Sequence, residues 1–193
     1  NRSAAFDFAL YYNALQPAIN SGNYAALAGN PGLAGQFGYA DKAVTFIDNH
    51  DTFVKPGSFV TSDNIMKGYA YILTHPGIPC VFFPHYYGGT YKKDGVTVVY
   101  TANKTAIDQL MAIRKNNGIN AYSSVAVSNT SGFYSATIDN KVVVKIGPGL
   151  WNPGTGWTLK ASGTDYAVWE KTVVADVPSL TIAPTGGSFV TGT

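Results

Sequence analysis

The sequence predicts an α/β portion with a parallel sheet, followed by an all-β antiparallel domain. Apolar runs of strand length alternate with helical patterns as far as about residue 118, which is typical of βαβ units. One such run, residues 43–47, leads directly into four polar residues, Asp48, Asn49, His50 and Asp51. From Ile119 onward the hydrophobic period changes from about 3.6 to 2, which is typical of strands.

Each element of the α/β portion follows from a local pattern. Apolar side chains recur at helical spacing after Phe8 and again after Ser62, where a helix is expected to begin. Asp94-Gly95 lies between β-forming residues and predicts a hairpin. Strands are thus expected near residues 6–8 and over 43–47, and a buried strand of the parallel kind is expected over 78–83. Short helices are expected near 8–19 and 24–28, longer helices from 62 and from about 107, and a hairpin over 91–100.

The all-β portion contains short strands separated by turn residues such as Asp139-Asn140. They are predicted over residues 124–127, 132–138, 141–146, 158–162 and 166–171, in a sandwich or Greek-key arrangement. Three regions are expected: residues 1–118 as the C-terminal part of a barrel, 119–171 as the β domain, and 172–193 as a linker with the start of a further β module.

Composition excludes several classes of protein. The chain is 46% hydrophobic and 12% charged with a formal net charge of +2, so neither a disordered chain nor a nucleic-acid-binding protein is expected. It has no apolar run of about 18 residues, so no membrane span is expected. Abundant glycine and tyrosine, 21 and 13 residues, with little charge favour a secreted protein.

The polar residues after the run at 43–47 allow two interpretations. A parallel strand that ends at ionisable side chains is typical of a strand whose carboxyl end lines an active site. The same pattern fits a strand followed by an Asx-type turn with solvated carboxylates. The residues alone leave both open.

Four segments together resemble the C-terminal half of plant-type α-amylases, members of the α-amylase family of glycoside hydrolases: residues 42–52, 68–82, 138–147 and 165–171. The resemblance covers residues 6 to about 171. It implies strands 6 to 8 of a (β/α)8 TIM barrel followed by an antiparallel β domain. It also implies a retaining enzyme that hydrolyses internal α-1,4-glucosidic bonds of starch, with calcium bound mostly by ligands outside this chain.

The same resemblance assigns roles to the polar turn. Asp51 matches the carboxylate that stabilises the transition state, and His50 matches a histidine that hydrogen-bonds the sugar. Asn49 is a candidate substrate-binding residue, although it and Asp48 are better explained as supports of the turn. The tryptophan pair of the plant enzymes is replaced by Phe37-Gly38-Tyr39, and Trp151 is the candidate for a surface sugar site.

The nucleophile and the general acid of the family lie on the fourth and fifth barrel strands, which would precede Asn1. The chain alone is therefore expected to be inactive and to need the N-terminal half of the barrel as its partner. No metal site is expected within it, and maltooligosaccharides or starch are the expected ligands. Two alternatives stay open: a non-catalytic starch-binding fragment, and part of a related α-glucan transferase.

Overall fold

Three short strands form a parallel sheet at the start of the chain. In the computed structural model, which describes residues 3–173, β1 (Ala5–Phe6), β2 (Ala43–Phe46) and β3 (Ile78–Cys80) pair in that order. β2 lies between two partners and is mostly buried, whereas β3 pairs only with β2 and is partly exposed. The prediction of a buried strand over residues 78–83 is therefore wrong for this chain by itself, because the strand ends at Cys80 and all of residues 78–83 are at least partly exposed. A parallel strand is buried throughout only when both of its faces are covered.

Helices follow each strand, as the alternating pattern predicted. Thr61 caps the helix that follows β2 through its hydroxyl, which accepts from the Asn64 N–H at 3.3 Å, one residue before the predicted start. The helix after β1 changes to i→i+5 hydrogen bonds over Tyr11–Leu15. The helices are α1 (Phe8–Leu10), α2 (Gln16–Ser21), α3 (Ser62–Ile72), α4 (Phe83–Tyr87) and α5 (Lys104–Asn116), with a short 3₁₀ turn at Tyr24–Leu27.

The predicted hairpin is confirmed. β4 (Gly89–Lys93) and β5 (Val96–Tyr100) pair antiparallel, with Lys93 opposite Val96. Asp94 and Gly95 have φ values of 51° and 78°. Positive φ at both central residues is what a tight two-residue hairpin turn requires, and this explains why the Asp-Gly pair marked it.

The remaining strands form one five-stranded antiparallel sheet in the order β6-β7-β8-β10-β9. α3 packs against β8 and β10, and α5 packs against β9, so the layer facing this sheet is helical. His75 Nε2 lies 2.8 Å from the Tyr134 hydroxyl and links the end of α3 to β7. The strands are β6 (Val125–Asn129), β7 (Tyr134–Ile138), β8 (Val142–Ile146), β9 (Trp157–Gly163) and β10 (Tyr166–Lys171).

The parallel sheet and the five-stranded antiparallel sheet confirm the predicted fold class, barrel strands with their helices followed by an antiparallel β domain. The boundary between residues 118 and 119 stays a prediction. The linker and β module predicted over residues 172–193 lie almost wholly outside the described residues. Within residues 3–173, no helix is long and apolar enough to cross a membrane.

Candidate functional site

The candidate site is the turn that follows β2, residues 48–52, which we call the polar turn. Ile47 is fully buried, so the chain enters the turn from the core. The Asn49 carboxamide oxygen accepts from the N–H groups of Asp51 at 2.8 Å and Thr52 at 3.1 Å. This is the Asx-type turn that the second interpretation predicted, and it fixes the backbone beneath His50 and Asp51.

Exposure separates the residues of the polar turn into two groups. The side chains of His50 and Asp51 are 79% and 63% exposed, and His50 Nε2 lies 3.4 Å from Asp51 Oδ2. Asn49 is only 6% exposed, and its oxygen is already used within the turn. The imidazole and the carboxylate are thus open to a ligand, whereas the contacts of Asn49 are those of a support. Substrate contact by Asn49 stays a prediction.

Asp48 anchors the polar turn from inside the protein. It is 2% exposed, and its Oδ1 accepts from the hydroxyls of Tyr11 at 2.7 Å and Thr52 at 2.8 Å. Its Oδ2 accepts from the Phe59 N–H at 2.9 Å. The Thr52 hydroxyl oxygen in turn accepts from the Asn49 N–H at 2.9 Å. A continuous set of hydrogen bonds therefore runs from the buried carboxylate to the backbone that carries Asp51.

A buried histidine lies beside this carboxylate. His85 Nε2 is 3.7 Å from Asp48 Oδ2, and His85 Nδ1 is 3.2 Å from the Tyr69 hydroxyl, which accepts from the Phe82 N–H. Burial raises the pKa of Asp48 from 3.8 to about 6, against the hydrogen bonds from Tyr11, Phe59 and Thr52. Burial lowers the pKa of His85 from 6.5 to about 3, so this imidazole is neutral at pH 7.

These two shifts have opposite effects on stability. The folded-state pKa of Asp48 lies above its unfolded value, so its contribution to stability falls as pH rises from about 4 to about 6. The folded-state pKa of His85 lies below its unfolded value, so stability is lost as pH falls from 6.5 towards 3. Between about pH 4 and pH 6 the two effects oppose each other.

Replacing Asp48 by Asn removes one of the two effects. We expect the variant to lose stability more steeply than the wild type as pH falls from 6 to 4, by up to about 1.4 kcal/mol per pH unit. Urea unfolding at several pH values measures the two slopes, and titrating groups distant from Asp48 cancel in the comparison. Parallel curves for variant and wild type would contradict the raised pKa of Asp48.

Lys93 is a component of the site that sequence patterns did not reveal. Its Nζ lies 3.1 Å from Asp51 Oδ1 and donates to the His50 carbonyl oxygen at 2.6 Å. The hydrogen bond from Lys93 to the Asp51 carboxylate, together with the charges of His50 and Lys93, lowers the pKa of Asp51 and keeps it ionised. Lys93 ends β4, 42 residues beyond Asp51 in the sequence, so only the three-dimensional pairing brings them together.

Trp151 lies apart from the polar turn, on the loop between β8 and β9. Its ring centroid is 5.6 Å from that of Phe133 and 5.7 Å from that of Trp169, so it packs against two aromatic neighbours. It lines a surface depression of about 360 Å³ together with Leu150 and Ser162. Sugar binding by Trp151 stays a prediction, since a tryptophan that packs on one side and is partly exposed to solvent can serve a structural or a binding role.

Comparison with known proteins identifies the family. A protein-family model described as the alpha-amylase C-terminal beta-sheet domain matches residues 116–170. The alpha-amylase type B isozyme of Hordeum vulgare is 42% identical over 136 residues, which are 67% of this chain and 80% of that protein. The probable alpha-amylase 2 of Arabidopsis thaliana is 41% identical over 177 residues, 88% of this chain and 39% of that protein.

The chain thus spans less than half the length of the Arabidopsis relative. Among solved structures, the crystal structure of alpha-amylase from H.orenii matches 88% of this chain and 47% of its own, at 14% identity and a TM-score of 0.49.

Proposed function

Because the chain belongs to the α-amylase family of glycoside hydrolases, we propose that it is the C-terminal portion of a retaining α-amylase that cleaves internal α-1,4-glucosidic bonds of starch. The observation that carries this proposal is the exposed His50–Asp51 pair at the carboxyl end of the central parallel strand. Barrel enzymes place their reacting groups at that end of their strands.

Asp51 is proposed to stabilise positive charge in the transition state. Glycoside hydrolysis passes through an oxocarbenium-like state, and a fixed, ionised carboxylate beside the sugar ring favours that state electrostatically. Lys93 keeps the pKa of Asp51 below its usual value, and the exposed imidazole of His50 provides further polar atoms for sugar hydroxyls. Both side chains rest on a backbone held by Asn49 and Asp48.

The nucleophile and the general acid would come from barrel strands upstream of residue 1, so we propose that the isolated chain is inactive. A retaining mechanism needs two carboxyl groups about 5–5.5 Å apart, flanking the scissile bond. Asp48 is not one of them, because it is buried and its oxygens accept from Tyr11, Thr52 and Phe59.

Calcium is proposed for the complete enzyme, with its ligands in the remainder of the protein. Among residues 3–173, no group of three or more His, Cys, Asp or Glu side chains could hold a metal ion. The buried Asp7 does not fit either, because its oxygens accept from the N–H groups of Leu10, Leu33 and Ala34. The proposed extracellular location is supported by composition alone.

Product analysis tests the proposed function. Starch is incubated with the complete protein and, separately, with residues 1–193, and NMR follows the anomeric protons of the first products. We expect the complete protein to release maltooligosaccharides as the α-anomer, and the isolated chain to release none. Products that begin as the β-anomer, or no products from the complete protein, would contradict a retaining α-amylase.

The same assay separates hydrolysis from transfer. A transferase would move glucan segments onto sugar acceptors and lengthen some chains without raising the number of reducing ends. A hydrolase raises that number with every cleavage. If the complete protein binds maltooligosaccharides and forms neither kind of product, the non-catalytic binding function is favoured instead.

A further inference from the structure

The β4–β5 hairpin is anchored over the buried polar groups beneath the polar turn. Val98 and Tyr100 are 7% and 3% exposed, and the Tyr100 ring lies 4.9 Å from that of His85. Tyr91 pairs with Val98 across the hairpin and donates its hydroxyl to the Gly88 carbonyl oxygen at 3.0 Å. One face of the hairpin is therefore part of the core, which fixes its position relative to Asp48 and the turn.

Lys93 extends this anchored face to the polar turn. Because successive side chains of a strand point to opposite faces, Lys93 shares the face of Tyr91, and Lys92 points the other way. The Lys93 ammonium contacts both the Asp51 carboxylate and the His50 carbonyl oxygen, so it holds the side chain and the backbone of the turn together. His50 Nε2 contacts the other carboxylate oxygen of Asp51.

We propose that Lys93 is a positioning residue for the reaction. The ammonium group, carried on the anchored β4–β5 hairpin, holds the Asp51 carboxylate in the orientation that stabilises the transition state. The inference rests on the proposed function, since it requires that Asp51 acts on the sugar.

Lys93 acts by preorganising the Asp51 carboxylate. An exposed carboxylate such as that of Asp51 can rotate and is screened by water, and a rotating group stabilises developing charge less than a fixed one. An isolated exposed ion pair adds little stability to a fold, so a purely structural role would be barely detectable in unfolding. The effect of Lys93 belongs instead to the transition state, where the substrate excludes water from the pair.

The experiment compares three variants of the complete protein on soluble starch. Lys93→Met keeps the length of the side chain and removes its charge, Lys93→Arg keeps the charge, and Lys92→Met is the matched control on the opposite face. We expect Lys93→Met to lower kcat about tenfold with less than about a twofold change in KM, because the lost interaction is specific to the transition state. Lys93→Arg should recover most of kcat, and Lys92→Met should leave it unchanged.

The outcomes separate the two proposals. If the wild type degrades starch and Lys93→Met behaves like Lys92→Met, the positioning role is wrong and the proposed function stands. A higher kcat in Lys93→Met would also overturn the role, because the ammonium would then be weakening the carboxylate. A higher KM with unchanged kcat in Lys93→Met would make Lys93 a simple binding residue and contradict the inference. A wild type without action on α-glucans overturns both proposals.

Discussion

Replacing Asp51 by Asn should lower kcat of the complete enzyme on starch by about a thousandfold or more. The substitution keeps the shape of the side chain and removes the negative charge that is proposed to face the oxocarbenium-like state. Because the Asp51 side chain is 63% exposed, its charge is not needed for packing, and the urea midpoint of unfolding should stay close to that of the wild type. Initial rates of reducing-end release measure the effect.

Asp63→Asn is the matched control for this experiment. Asp63 is also exposed and makes no ion pair among the described residues, but it lies in the first turn of α3. The Asp63→Asn variant should retain the kcat of the wild type. Turnover by Asp51→Asn within tenfold of the wild type would remove the proposed role of Asp51. A large shift in its unfolding midpoint would mean that the carboxylate supports the fold instead.

Local chemistry explains why some elements could be predicted from the sequence. The hairpin was marked by two residues, Asp94 and Gly95, that accept positive φ. The helix from Ser62 was marked by its apolar stripe, of which Ile65, Tyr69 and Ile72 are fully buried. In both cases the determining residues are close neighbours in the chain, so a short window contains the whole signal.

Other features depend on contacts between distant segments. The burial of β3 depends on which segments pack against it. Ile78 is 42% exposed, although residues 78–83 have the pattern of a buried strand. The sequence predicts the polar turn, and the Asx turn formed by Asn49 is compatible with both interpretations of it. The ion pair with Lys93 and the burial of His85 beside Asp48 have no sequence signature.

Replacing Asp48 by Ala should lower the free energy of unfolding by about 3 kcal/mol or more. The change leaves three buried donors, the hydroxyls of Tyr11 and Thr52 and the Phe59 N–H, without their acceptor, and each unsatisfied group costs about 1–3 kcal/mol. The substitution also removes the cost of burying an ionised carboxylate in the folded wild type, and this gain limits the loss of stability near pH 7. Urea unfolding of the complete protein measures the difference.

Asp63→Ala serves as the control and should change the free energy of unfolding by no more than about 1 kcal/mol, the usual contribution of an exposed acid at a helix start. Asp48→Ala should also reduce activity, since the Thr52 hydroxyl loses the Asp48 Oδ1 acceptor while it still accepts from the Asn49 N–H. Near-wild-type kcat in a destabilised Asp48→Ala variant would show that the turn keeps Asp51 in place without its buried anchor. In that case the Asx turn of Asn49 and the ion pair with Lys93 would be sufficient to position the carboxylate.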